Sequence, residues 1–132
     1  MSPSVPLRIL AVDDEPAILQ LISAHLWLDG HSVGTADDGV EALAQFLQGP
    51  WDVVLTDRLM PRMGGEHLAA AIKKVNPETP VIMVTGSLEP TPDEELRLPN
   101  IDKIVLKPFS SERLRAALSD VTTRTSVVPL AG

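Results

Sequence analysis

Short apolar runs alternate along the chain with longer stretches in which apolar residues recur every three to four positions. The runs are Leu7 to Val12, Ser32 to Ala36, Val53 to Thr56, Val81 to Thr85 and Lys103 to Leu106. In three of them, Ile9 to Val12, Val53 to Leu55 and Val81 to Val84, the apolar stretch is unbroken. That is the pattern of strands covered by helices on both faces, so these are the predicted central strands.

Between the runs the period becomes helical. The first predicted helix has Pro16 near its start and an apolar stripe through Ile18, Leu19, Ile22 and Leu26, and it stops at Asp29 and Gly30. The second is capped by Asp38 with Glu41 three residues on, turns Ala42, Leu43 and Phe46 inward, and ends at Gly49 and Pro50. The third runs from about Gly65 to Val75 with Leu68, Ala71, Ile72 and Val75 on one face. The last begins near Ser110 and aligns Leu114, Ala117, Leu118 and Val121. Between the fourth and fifth strands, Pro90, Pro92 and Pro99 interrupt the pattern. Thr91 with Glu94 reads there as a capping box, opening a fourth helix that is short or irregular. Residues 1–121 form the predicted domain, and 122–132 are expected to be a flexible C-terminal tail with no output domain following.

Strict alternation of strand and helix gives a doubly wound α/β fold with a parallel sheet, in which ligands bind outside the carboxyl ends of the strands. Asp13, Asp14 and Glu15 follow the first strand, Asp57 the third, and Lys107 with Pro108 the fifth, while Thr85 ends the fourth. Three aspartates, a hydroxyl and an ammonium are thus predicted on one edge.

Composition sharpens this picture. The chain has 132 residues, one domain's worth, and no cysteine, which excludes disulfides and thiolate metal sites. Eighteen acids against eleven bases give a net charge of −7. All of the excess lies in residues 1–60, where nine acids face only Arg8 and Arg58. Such a surface argues against direct nucleic-acid binding, which needs clustered Lys and Arg. The longest apolar run, Leu68 to Ile72, is far short of the roughly 20 residues that span a bilayer, and Met1 to Pro6 lacks a signal pattern. A cytoplasmic protein without membrane insertion is expected. Converging carboxylates repel one another unless one is protonated or a cation sits among them. Oxygen donors alone suit Mg²⁺, and no His or Cys is placed to favour a softer metal.

The acidic pair after the first strand, the segment Asp57, Arg58, Leu59, Met60, Pro61 with Gly65 beyond, the pair Thr85 and Gly86, and Lys107, Pro108, Phe109 together resemble the receiver domain of two-component response regulators. The intervals of 44 residues from Asp13 to Asp57, 28 to Thr85 and 22 to Lys107 suit that family. The resemblance covers residues 7 to about 121 and implies a flavodoxin-like five-stranded sheet of order 2-1-3-4-5. It implies Asp57 as phospho-acceptor from a sensor histidine kinase or a histidine phosphotransfer domain. Mg²⁺ would be held by Asp14, Asp57 and the Leu59 backbone carbonyl, with Asp13 acting through water. Thr85 and Lys107 would bind the phosphoryl group and switch the surface from strand four to strand five, controlling an output protein or domain. Pro108 would follow a cis peptide bond.

Two features depart from the family pattern. Ile104 occupies the position three before the lysine where an aromatic residue is usual, and so lacks a ring to swing inward. Leu59 and Ser87 hold the positions that tune loss of the phosphoryl group, and apolar Leu59 offers nothing to orient an attacking water, predicting a long-lived phospho-Asp57. Two other classes are weighed against the receiver. A pseudo-receiver that signals without phosphorylation would lack the acidic pair, the acceptor or the lysine, and all are present. A Mg²⁺-dependent aspartyl-phosphate phosphohydrolase of the haloacid-dehalogenase kind needs a second aspartate two residues after the nucleophile. Leu59 stands there after Asp57, and Glu15 after Asp13. His25, His31 and His67 read as structural or exposed, and Trp27 and Trp51 as packing residues.

Overall fold

The computed structural model describes residues 5–86 and 98–127. Five strands, β1 (Arg8–Val12), β2 (Ser32–Ala36), β3 (Val53–Thr56), β4 (Val81–Thr85) and β5 (Lys103–Leu106), form one parallel sheet in the order β2-β1-β3-β4-β5. Four helices, α1 (Pro16–Leu28), α2 (Gly39–Phe46), α3 (Gly65–Val75) and α4 (Ser111–Val127), complete the described elements. The fold is the flavodoxin-like arrangement expected from the sequence. The short helix expected around Thr91 lies outside the described residues, as does Ser87.

The alternation of side chains along each strand separates two apolar layers. Ile9, Ala11, Val53, Leu55, Ile82 and Val84 face α1 and α4, packing with Ile22, Leu26, Leu114 and Leu118. Leu10, Val12, Val54 and Val81 face α2 and α3, packing with Phe46, Leu68 and Ile72. Every residue of β3 and β4 is buried, which is why their sequences are apolar up to the threonine that ends each strand. Burying each Leu or Ile side chain contributes about 1.5–3 kcal/mol, so both layers hold the strand ends rigidly in register.

Three expectations need correction. The tail predicted from residue 122 is helical as far as Val127. Val121 is buried, and the Thr122 hydroxyl donates to the Leu118 carbonyl at 2.7 Å, so the helix continues past its last core contact instead of ending there. Residues 128–132 lie outside the described residues. Val75 is exposed although it continues the Leu68 and Ile72 stripe, because it is the last residue of α3 and lies one turn beyond Ile72, the last buried residue of that helix. Trp27 is 72% exposed: α1 buries Ile22 and Leu26, and the next position is rotated about 100° away. Trp51 does pack, its indole N–H donating to the Gln45 carbonyl at 3.0 Å and its ring lying 4.8 Å from the Arg8 guanidinium.

Candidate functional site

The sheet register delivers the charged residues together. Asp57 follows β3 directly, and its amide donates to the Val12 carbonyl at the end of β1 (2.9 Å). The Asp13 amide donates across to the Ala36 carbonyl of β2 (3.2 Å). Lys107 follows β5, its amide donating to the Thr85 carbonyl at 2.9 Å, so β4 and the lysine share one anchor. The Lys107–Pro108 peptide bond is cis.

Around Lys107 the charges converge. Its ammonium donates to Asp13 Oδ2 at 2.8 Å and to Asp57 Oδ2 at 3.4 Å, and lies 3.8 Å from Glu15 Oε1. The other oxygens of both aspartates take backbone amides: Glu15 N–H donates to Asp13 Oδ1 at 2.9 Å, and Arg58 N–H to Asp57 Oδ1 at 2.7 Å. Burial pushes the Asp13 carboxyl above the ordinary aspartate value; the Lys107 and Glu15 hydrogen bonds offset part of the rise, and the charge of Asp57 adds to it. Burial also works against the Lys107 ammonium, but the hydrogen bond and charge of Asp13, with Asp57 behind them, hold its pKa above the usual lysine value. One lysine therefore serves two carboxylates that would otherwise repel each other.

Asp13, Asp14 and Asp57 each present an oxygen within 4.8 Å of the other two. Asp13 is buried, Asp57 nearly so and Asp14 exposed, so the trio opens to solvent on one side. An all-oxygen set of this size fits a hard divalent cation that keeps some of its waters. The loop after Asp57 is drawn tight: Gly65 N–H donates to the Arg58 carbonyl at 2.8 Å, and a Cβ on Gly65 would overlap the Asp57 carbonyl oxygen. Glycine is required there by close approach alone.

The remaining predicted residues fall around this centre. Thr85 is 2% exposed at the end of β4, with Gly86 beside the Lys107 Cβ. Leu59 is 68% exposed on the loop after Asp57. Ile104 lies on edge strand β5, paired with Met83 and partly exposed. The three histidines stay outside the site: His31 is buried and accepts a hydrogen bond from the Leu7 amide, His25 meets Phe109 edge to face, and His67 is exposed. Sequence reasoning assigned Asp38 only a capping role. It also binds Arg62, 24 residues away in the loop after Asp57, a pairing for which the local sequence carries no signal.

The fold and the acidic edge define a class of signalling domain, and the comparisons agree. The chain belongs to the response regulator receiver domain family, which it matches over residues 9–119. It is 38% identical over 120 residues to a probable transcriptional regulator, ycf27, of Guillardia theta, covering 90% of this chain and 46% of that protein. The chain thus spans about half the length of the curated relatives it matches. Among solved structures, it resembles a CheY-like receiver domain from Methanospirillum hungatei, with a TM-score of 0.84 at 28% identity over 92% of this chain and 98% of that one. It also resembles the response regulator TrrA of Thermotoga maritima, determined in complex with Mg²⁺ and BeF, with a TM-score of 0.79 at 33% identity over 87% and 98% of the two chains. Among the described residues no helix is long and apolar enough to cross a membrane.

Proposed function

We propose that this chain is a phosphorylation-dependent receiver acting in the cytoplasm, whose Asp57 accepts a phosphoryl group from phosphohistidine on a sensor kinase or phosphotransfer domain. The observation that carries the reading is the convergence of Asp57 with Asp13, Asp14 and the Lys107 ammonium. In the transfer an Asp57 oxygen bonds to phosphorus as the phosphorus–nitrogen bond breaks, and the imidazole leaves with the electron pair. Phosphoryl transfer is mostly positioning and charge neutralisation, and each residue here has such a task. Asp13, Asp14, Asp57 and the Leu59 carbonyl would hold Mg²⁺, which when bound neutralises charge on the phosphoryl oxygens. Lys107, already raised in pKa and drawn in by Asp13, stays cationic and binds a phosphoryl oxygen as a compact ammonium. The Arg58 amide fixes the Asp57 carboxylate in orientation.

Thr85 reads the modification. Its hydroxyl hydrogen-bonds the phosphoryl group and biases the β4 to β5 surface, with Ile104 taking part as a packing residue without an aromatic swing. Moving a two-state equilibrium from 1:99 to 99:1 takes about 5.5 kcal/mol of preference for one state. The output is then an altered surface read by a protein or domain, and no product is released.

Incubation with Mg²⁺ and a small acyl phosphate, followed by intact mass over time, tests this reading. A single phosphoryl adduct that is absent in Asp57→Asn supports it, and apolar Leu59, with no group to orient an attacking water, predicts an adduct that outlasts seconds. No adduct on the wild type would make the chain a constitutive interaction module. Continuous phosphate release over many turnovers would make it a phosphohydrolase.

A further inference from the structure

The loop from Asp57 to Gly64 is held at a second point, remote from the three clustered aspartates. Arg62 has φ 68°, in the left-handed region that is unfavourable for a residue with a side chain. The Met63 amide donates back to the Pro61 carbonyl at 2.7 Å, closing a three-residue turn around Arg62. Turns of that kind with positive φ are rare and strained, so something outside the loop must stabilise this one.

The stabilising partner is the start of α2. Arg62 Nη2 and Nε both reach Asp38 Oδ2, at 2.6 and 2.8 Å. Asp38 uses its other oxygen, Oδ1, to accept the Glu41 amide at 2.8 Å as the helix cap. Directly beside this pair the Gly39 amide donates to the Met63 carbonyl at 3.1 Å, and a Cβ on Gly39 would overlap that carbonyl oxygen. The Asp38 side chain is nearly buried while Arg62 lies over it, so the carboxylate is fixed by the helix and the arginine is held to it. The strained turn, the ion pair and the close glycine contact all fasten one loop to one helix end.

That loop carries the acceptor at its start and the Leu59 carbonyl within it. We propose that Asp38 and Arg62 are positioning residues for the cation site: their ion pair sets the path of the loop after Asp57, and so the placement of the Leu59 carbonyl beside the aspartates. The proposal rests on the Mg²⁺ reading given above. It makes the start of α2 a support for the phosphoryl chemistry, although neither residue is among the clustered aspartates.

Mg²⁺ titration of the unphosphorylated protein, followed by backbone amide NMR, tests the proposal without any phosphoryl donor. Asp38→Asn keeps an oxygen for the Glu41 amide but removes the ionic partner, and Arg62→Ala removes the guanidinium. Each is expected to weaken Mg²⁺ binding by about tenfold, the usual scale for a lost supporting contact around a metal site. The double variant should be no weaker than either single, since both remove one interaction. Arg62→Gly relieves the positive φ and should recover thermal stability relative to Arg62→Ala while Mg²⁺ binding stays weak, separating loop positioning from loop stability. Unchanged Mg²⁺ affinity in folded Asp38→Asn and Arg62→Ala overturns the clamp alone. If the wild type fails to bind Mg²⁺, or binds it as well after Asp57→Asn, the underlying site reading fails and the proposal with it.

Discussion

The two edges of the sheet use the same residue types for opposite ends. At the amino edge, the residue just before a strand laces that strand to its neighbour. His31, before β2, accepts the Leu7 amide at 3.0 Å; Asp52, before β3, accepts the Arg8 amide at 2.8 Å; and Asp102, before β5, accepts the Val81 amide at 2.8 Å together with the Lys73 ammonium at 2.8 Å. Each acceptor meets the donors that its own neighbourhood supplies. At the carboxyl edge, three aspartates crowd together and two of them share the Lys107 ammonium, which sits closer to Asp13 than to Asp57. An aspartate beside a strand is therefore a latch where it meets a donor of its own, as Asp52 and Asp102 do, and part of a site where several carboxylates compete for one ammonium. The excess is what makes the second edge chemically available.

Removing one charge should consequently change stability in opposite directions at the two edges. Asp102→Asn keeps the shape but weakens bonds to a cation and a strand amide, both largely shielded from water. It should cost about 1.5–3 kcal/mol, the scale for hydrogen bonds to charged groups. Asp57→Asn, measured without Mg²⁺, removes a like-charge neighbour of Asp13 and keeps an acceptor for the Arg58 amide, so it should leave stability unchanged or raise it. Denaturant midpoints of the two variants decide the matter, and equal losses would break the comparison.

Mg²⁺ should sharpen it. A ligand bound only to the folded state stabilises by RT ln(1 + [L]/Kd), about 1.4 kcal/mol at a tenfold excess over Kd. The thermal midpoint of the wild type and of Asp102→Asn should rise with Mg²⁺ by the same increment, while Asp57→Asn gains little. A Mg²⁺ increment that survives in Asp57→Asn would place the cation away from Asp57.

The carboxyl edge was largely legible in the sequence, and the amino edge was not. Residues fully buried on both sheet faces leave unbroken apolar runs, which mark β3 and β4, and the less buried edge strands β2 and β5 also fall on the predicted segments, while a parallel sheet brings Asp13, Asp57, Thr85 and Lys107 to one edge by topology alone. The latches at Asp52 and Asp102 depend on a register between strands that no local pattern encodes. The Asp38 to Arg62 pair is harder still, since it spans 24 residues and needs a left-handed turn that arginine does not advertise. Trp27 and Val75 misled for simpler reasons: Trp27 is an apolar residue one step off the α1 stripe, and Val75 continues the α3 stripe past the last buried position of that helix.

The smallest effect separates the edges by pH. At the amino edge His31 is buried and uses Nδ1 as an acceptor, which requires the neutral ring with its proton on Nε2. Burial holds its pKa below the ordinary value of 6.5, against a weaker opposing pull from the charge of Asp29. The unfolded chain then takes up a proton that the folded chain refuses, so His31 contributes its full stability above about pH 6.5 and loses it as pH falls through that value toward the lower folded pKa. Asp13 at the other edge has the opposite sign. Its raised pKa means that the folded state takes up a proton first, and stability is regained as pH falls through the folded value toward 3.8. The Asp38 carboxyl, capping the Glu41 amide and paired with Arg62, is held below 3.8 and is lost only under stronger acid. Thermal midpoints between pH 7.5 and 5.5 should therefore decline in the wild type because of His31. His31→Asn, which offers an uncharged acceptor to the Leu7 amide, should flatten that decline, and a decline of the same size in the variant would move its origin off the amino edge.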